Sequence, residues 1–497
     1  MTLEEYLQAD ATELGRLVLS KEIRPSELVE LAQKRLEQVN PALNAVILRM
    51  DEQANKHAAD NFSEENVFAG VPFLLKDLIQ SYAGVRMANG SESMRDFIPE
   101  EHSELVDRFL KSGLIPIGKS NTPEFGLMGV TEPKAFGTTN NPWNTLHTSG
   151  GSSGGSGAAV ASGIVPIAGA SDGGGSIRIP ASCCGLVGLK ATRGRFPMAP
   201  IGECWDGAVV EGVLTKSVRD TARALESYQG GVLGESYVFE RLEDLERKME
   251  ELPKKLKIFV ATENPVDPNV LDPEVKACVE EAASELEALG HHVETGKLPI
   301  DGAQAARSYM TMYFGQTAHS VDYIKELVGP EKIKNIELTT KLLHLLGHTT
   351  SAATYARAKD YWSTLSYQFN SLFYSYDLIL TPTLSLPPQR HGSFQPTLVE
   401  KQLMKAMLKL KAGKLVLKSG KVDDMAKKSL GKLPYTFITN LTGNPSISVP
   451  WGKNKDNLPI GLHFSAPHAQ ELKLLQIARL IEKIRPWDYA GLEVNKA

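Results

Sequence analysis

The 497-residue sequence predicts an α/β fold, a large mixed central β-sheet covered by helices on both faces. Short apolar runs such as Leu114-Ile115-Pro116-Ile117 and Ile258-Phe259-Val260 alternate with helical stretches such as Pro273 to Leu289. No Pro/Gly/Ser-rich linker and no internal repeat divides the chain, so a single domain over residues 1–497 is expected, although length alone points to about three. In chain order, a helical N-terminal region covers about residues 1–60. Helical patterning dominates residues 12 to 40, where Pro25-Ser26-Glu27 opens a helix through Leu36. Val71-Pro72-Phe73-Leu74-Leu75-Lys76-Asp77-Leu78 reads as a short apolar strand with one lysine at its end. Asn141 to Thr148 is turn-like and polar. Residues 300–375 and 390–432 read as helical insertions placed to cover a pocket.

Between Gly150 and Ser176 the chain carries ten glycines in 27 residues, where average usage gives about two. Interior glycine weakens helices and strands, so this density marks backbone at positive φ or in very close approach. Gly150-Gly151-Ser152-Ser153-Gly154 fits G-x-S-x-G, but a nucleophile elbow should follow a buried strand, and the segment before it is polar. A phosphate loop would need a lysine that is missing. A flexible linker is disfavoured because the helix formers Ala158-Ala159-Val160-Ala161 follow Gly157 directly.

Read together, three segments resemble the amidase signature family: the lysine after an apolar strand, then G-G-S-S-G-G-S-G at 150–157, then Ser171-Asp172-Gly173-Gly174-Gly175-Ser176-Ile177-Arg178-Ile179-Pro180. Further similar segments are Gly118-Lys119-Ser120-Asn121-Thr122-Pro123-Glu124-Phe125, Asn141-Pro142-Trp143-Asn144, Gly185 to Lys190, Leu380-Thr381-Pro382-Thr383 and Gly443 to Pro450. The likeness spans roughly residues 5 to 485 and implies the family's fold, one large sheet between helical layers. It also implies a hydrolase of carboxamides in which Ser176 is the nucleophile, Ser152 relays its proton from a cis peptide and Lys76 is the base.

The chemistry sets conditions on these residues. A serine hydroxyl is a poor nucleophile unless a base lies within hydrogen-bond reach. A lysine serves as that base only when neutral, which requires desolvation or a nearby positive charge; the apolar run before Lys76 fits. Gly173, Gly174, Gly175 and Ser176 are expected to form the oxyanion hole, since glycines leave their N–H groups open to a carbonyl oxygen. Asp172, Arg178 and Ser153 are expected to support the loops. Gly126, Leu127 and Met128 follow Pro123-Glu124-Phe125, a segment that the resemblance implies approaches the substrate beside the relay serine; the last two are expected either to make the acyl pocket apolar or to pack as ordinary core.

Other features read blandly. His147 is taken as a solvated loop histidine. His344 and His348 are spaced i, i+4, but Leu345 stands where a zincin has glutamate, so no metal site is expected and the pair is read as helix histidines. Cys183, Cys184, Cys204 and Cys278 offer neither a disulfide framework nor a C-x-x-C pair and are read as buried thiols. Residues 401–432 carry ten lysines among apolar positions. A solvated amphipathic helix is favoured there over a pocket flap or a membrane-surface helix, since Gly413 and Gly420 interrupt the pattern.

A formal net charge of −5 argues against nucleic acid as the main partner. The acidic start lacks a signal-peptide core and no run is apolar enough to span a membrane, so a cytoplasmic enzyme is expected. Its partner is a small-molecule amide, and no metal or organic cofactor is called for. The oligomeric state is open, a homodimer included. Two alternatives stand beside the amidase reading: the A subunit of a tRNA-dependent amidotransferase, and a non-catalytic binding module, against which the intact triad argues. Linear or cyclic amides, amide oligomers, esters and carbamates all stay open as substrates.

Overall fold

The computed structural model describes residues 1–252, 255–487, 489, 492 and 494; the other positions of the expected domain lie outside the described residues. Its strands are β1 Val46–Arg49, β2 Pro72–Lys76, β3 Ile115–Ser120, β4 Asn140–Asn141, β5 Asn144–Thr148, β6 Ile167–Asp172 and β7 Val187–Lys190. They continue with β8 Val210–Thr215, β9 Lys257–Val260, β10 His292–Thr295, β11 Leu378–Pro382, β12 Ser446–Lys453 and β13 Pro459–Ser465. Eleven of them form one mixed sheet in the order β1-β3-β2-β6-β8-β7-β12-β13-β11-β9-β10. The pairs β3/β2, β2/β6, β11/β9 and β9/β10 are parallel, and the middle of the sheet is antiparallel.

Every residue of β2 and β6 is buried, because helices cover both faces and leave no solvated side for polar alternation. The helices Gly154–Ala161 and Arg178–Cys184 pack on each other and against β6, β7, β12 and β13. The expected helix at Pro25 runs past Leu36 to Leu43. Its buried stripe of Leu28, Val29, Ala32, Leu36, Val39 and Leu43 continues through Pro41 until Asn44 closes it in the left-handed region.

Two readings of the polar segment after residue 140 are corrected. Asn141 to Thr148 is a hairpin rather than loose turn, with β4 and β5 paired and the Asn141 side chain donating to the carbonyls of Thr148 and Cys183. His147 is buried rather than solvated, because β5 also bridges to Arg390 and brings that segment over it. Cys183 and Cys184 are buried, whereas Cys204 and Cys278 are partly exposed, and all four are free thiols.

A second apolar core lies beyond the sheet, between the helices Gly302–Val328, Leu338–Thr349, Ala352–Asn370 and Lys421–Leu430. The lysine-rich stretch is not one helix. It breaks into Leu398–Lys409, Gly413–Lys418 and Lys421–Leu430, with Met404, Met407, Leu417, Val422 and Met425 turned onto this second core. Among the described residues no helix is long and apolar enough to cross a membrane.

Candidate active site

Strands β2 and β6 are parallel neighbours, so their C-terminal ends open on the same edge of the sheet, where ligands bind in open α/β sheets. Lys76 closes β2 and Asp172 closes β6. The glycine-serine loop reaches the same edge and turns into the helix that begins at Gly154. There the Ser153 N–H donates to the Ser176 carbonyl at 3.4 Å, and the Ser153 hydroxyl exchanges 3.3 Å bonds with the backbone of Ser171.

Lys76 is fully buried, and its Nζ lies 2.7 Å from Ser152 Oγ and 2.9 Å from Ser171 Oγ. The Gly151–Ser152 peptide is cis. The loop has no room for side chains on its inner side: a Cβ at Gly151 would fall 2.5 Å from the Val130 backbone nitrogen. Thr131 Oγ1 braces it by donating to the Gly150 carbonyl and accepting from the Gly154 N–H. Burial pushes the Lys76 ammonium down to about 7, against the opposing pull of Asp172 and Glu211. Glu211 stands opposite Ser171 across the β6/β8 ladder. Its carboxylate accepts from Gln80 Nε2, and Gln80 Oε1 accepts from the Lys76 N–H. Burial pushes this carboxyl up to about 7, against Gln80 and Lys76.

The loop after β6 is held from both sides. Asp172 accepts from the N–H groups of Gly175 and Ile177 and from Nε and Nη2 of Arg178. Burial alone would raise its carboxyl, but the Arg178 guanidinium and Asn440 hold it well below the usual carboxylate range. Arg178 also donates to the Thr436 carbonyl, Thr439, Asn440 and Ser446, so one buried cation ties the loop to the far half of the sheet.

The carbonyls of Asp172, Gly173 and Gly174 accept from Asn440, Tyr309 and Thr436. In a trans peptide the C=O and N–H point to opposite sides, so these anchors turn the next N–H groups, of Gly173, Gly174 and Gly175, away from them. The Gly175 N–H, at φ +132, is taken by Asp172 Oδ1 at 2.7 Å. Those of Gly173, Gly174 and Ser176 have no acceptor among the described residues. Ser176 itself is half-buried, and its hydroxyl makes no hydrogen bond to Ser152 or any other described side chain.

Gly126 borders the buried serine: a Cβ there would lie 3.3 Å from Ser152 Oγ. Leu127 and Met128 are partly buried beside it, and the Leu127 carbonyl accepts from the Tyr313 hydroxyl. Trp205 stands edge-on to Tyr313 and lies against Gly173, while Tyr309 stacks beside Tyr313. Sequence reasoning missed Gln80, Glu211, Tyr309, Tyr313, Thr436 and Asn440. Ser171 was visible inside the third motif without a partner to reveal it.

With this geometry in place, comparison with known proteins is specific. The Amidase family model matches residues 27–475. The chain is 34% identical over 490 residues to a 6-aminohexanoate-cyclic-dimer hydrolase of a Pseudomonas species, covering 97% of this chain and 96% of that protein. It is 30% identical over 496 residues to an acylamidase of Rhodococcus erythropolis, covering 98% of each. The solved structure of a 6-aminohexanoate cyclic dimer hydrolase complexed with substrate superposes with a TM-score of 0.87 at 32% identity, covering 98% of this chain and all of that one.

Proposed function

We propose, from the premise that the chain belongs to the amidase family and hydrolyses carboxamide C–N bonds, that Ser176 is its nucleophile, Ser152 its proton relay and Lys76 its base. The observation that carries this reading is the 2.7 Å approach of Lys76 Nζ to Ser152 Oγ inside a site where burial keeps the amine near neutrality. Neutral Lys76 takes the Ser152 proton as Ser152 takes that of Ser176, and Ser176 Oγ attacks the amide carbon. The oxyanion faces the N–H groups of Gly173, Gly174 and Ser176, while Gly175 spends its N–H on Asp172. Collapse sends a proton back along the relay to the leaving nitrogen and breaks the C–N bond. Water then enters by the reverse path and frees the acid from Ser176. Protein groups supply every proton and donor, so the scheme calls for no metal or organic cofactor.

The whole chain forms one catalytic unit, its helices between 300 and 432 placed over the cleft. Leu127, Met128, Trp205, Tyr309 and Tyr313 give the cleft an apolar and aromatic lining, which suits uncharged acyl groups. The names of the relatives extend the substrate class to linear and cyclic amides, amide oligomers included. The enzyme works in the cytoplasm without a nucleic-acid partner, and light scattering tests the homodimer. Purified alone, without ATP or a partner, it should cleave simple amides; an amidotransferase subunit would need both. Ser176→Ala should cost roughly 10⁴-fold or more in turnover and leave the melting curve in place, and a fluorophosphonate probe should label Ser176. Wild-type-like turnover by the variant would exclude Ser176 as nucleophile.

A further inference from the structure

The histidine pair of the sequence acquires a third member in the fold. The helices Gly302–Val328 and Leu338–Thr349 pack side by side. His344 and His348 lie one turn apart on the second, with ring centres 4.6 Å apart. Asp322, on the first, faces both: its Oδ1 is 3.0 Å from His344 Nε2 and its Oδ2 is 2.9 Å from His348 Nε2. All three residues can bring one ligand atom within 4.8 Å of the others.

We propose that Asp322, His344 and His348 bind a divalent transition ion of the zinc class, which staples these two helices together. Zinc at about 2.0–2.1 Å from imidazole nitrogen and carboxylate oxygen sets tetrahedral ligand atoms about 3.3 Å apart. The two carboxylate–imidazole separations of 3.0 and 2.9 Å already lie near that spacing, and side-chain rotation closes the rest of a set whose ligand atoms all lie within 4.8 Å of one another. Two imidazoles and one carboxylate select zinc-like ions over calcium or magnesium, which take oxygen donors. The side chains are 44%, 31% and 54% exposed for Asp322, His344 and His348, so water completes the coordination. Lys341, on the same helix, is drawn away to the Lys334 carbonyl. Asp322 follows Tyr313 by nine residues on one helix, roughly 14 Å along its axis, so the ion is a structural staple remote from the amide.

The test is calorimetric titration of the chelator-treated full chain with zinc chloride. The wild type and His319→Ala, a neighbouring histidine outside the cluster, should each bind one equivalent at the same affinity. His348→Ala should bind at least about 10- to 100-fold more weakly, the cost of losing even an outer-shell partner, and His344→Ala/His348→Ala should lose the equivalent. The metal-free melting temperature of each variant reports its fold. Should the double variant melt far below the metal-free wild type, Asp322→Asn takes its place with the same expected weakening. Wild-type binding by the folded double variant or by Asp322→Asn, or no uptake by the wild type, overturns the assignment.

Discussion

The two walls of the cleft are built on different physics. The sheet-side wall, from Lys76 through the loops at 149–153 and 172–178, is backbone and buried polar groups, its carbonyls and carboxylates tied by named donors. The helical wall, from the helices Gly302–Val328, Leu338–Thr349 and Ala352–Asn370, is side chains on an apolar core. A wall of fixed dipoles suits charge that develops in a transition state; a wall of side chains can vary in shape without disturbing those dipoles. Substitutions on the first should therefore change rate, pH dependence or stability, and those on the second should change which amide is preferred.

The sharpest break of that contrast is at Lys76. Lys76→Met keeps the volume and removes the proposed base, and should lower kcat/KM by about 10²- to 10⁴-fold without a fall in melting temperature. In the proposed mechanism, protonation of Lys76 removes the acceptor. The rate should thus be level above about 7, the value to which burial lowers this group, and fall by about tenfold per pH unit below it. A rate flat across that range would remove Lys76 as the base.

Arg178 tests whether the sheet-side wall is held by its polar ties. It is fully buried, and Arg178→Ala would leave Asp172 charged and without its partner. Removing one member of a buried pair costs about 3–5 kcal/mol, so chemical denaturation should show a loss of that order, with activity lost alongside. A loss below about 1 kcal/mol, the level of an exposed pair, would mean that the loop is held by glycine geometry alone.

Much of this wall was legible in the sequence and little of the other was. Glycine density announces close backbone approach, and Lys76, Ser152 and Ser176 stand in motifs with fixed local spacing. The anchors do not: Asn440 reaches Asp172 across 268 positions, and Tyr309 reaches Gly173 across 136. No periodicity encodes such pairings. The hairpin at Asn140–Thr148 was hidden because its strands are short and polar, held by Asn141 side-chain bonds rather than by alternating apolar residues. The lysine-rich stretch divides at Gly413 and Gly420, as the glycines hinted, but the methionines that anchor it become core only when the helices Gly302–Val328 and Leu338–Thr349 pack against them.

Leu127 lies in the loop after β3, where its carbonyl accepts from Tyr313 of the helical wall, and Leu127→Asn is the discriminating change. If Leu127 lines the acyl site, kcat/KM ratios among acyl groups should shift by about tenfold, the scale of one apolar contact, with the pH profile unmoved. A uniform loss across substrates that follows a lower melting temperature would assign Leu127 to the core instead.

The smallest expected effect probes the coupling between Glu211 and Lys76. Glu211→Gln keeps the size and the oxygen that accepts from Gln80, but it removes the carboxylate whose charge favours the ammonium form of Lys76. The neutral amine then persists to lower pH. The acidic limb of kcat/KM should move to lower pH, with the plateau rate and the melting temperature little changed. A merely structural role would lower the plateau and the melting temperature and leave the limb in place. A limb that moves to higher pH would mean that Glu211 supports the neutral lysine, and the sign of the coupling would have to be reversed.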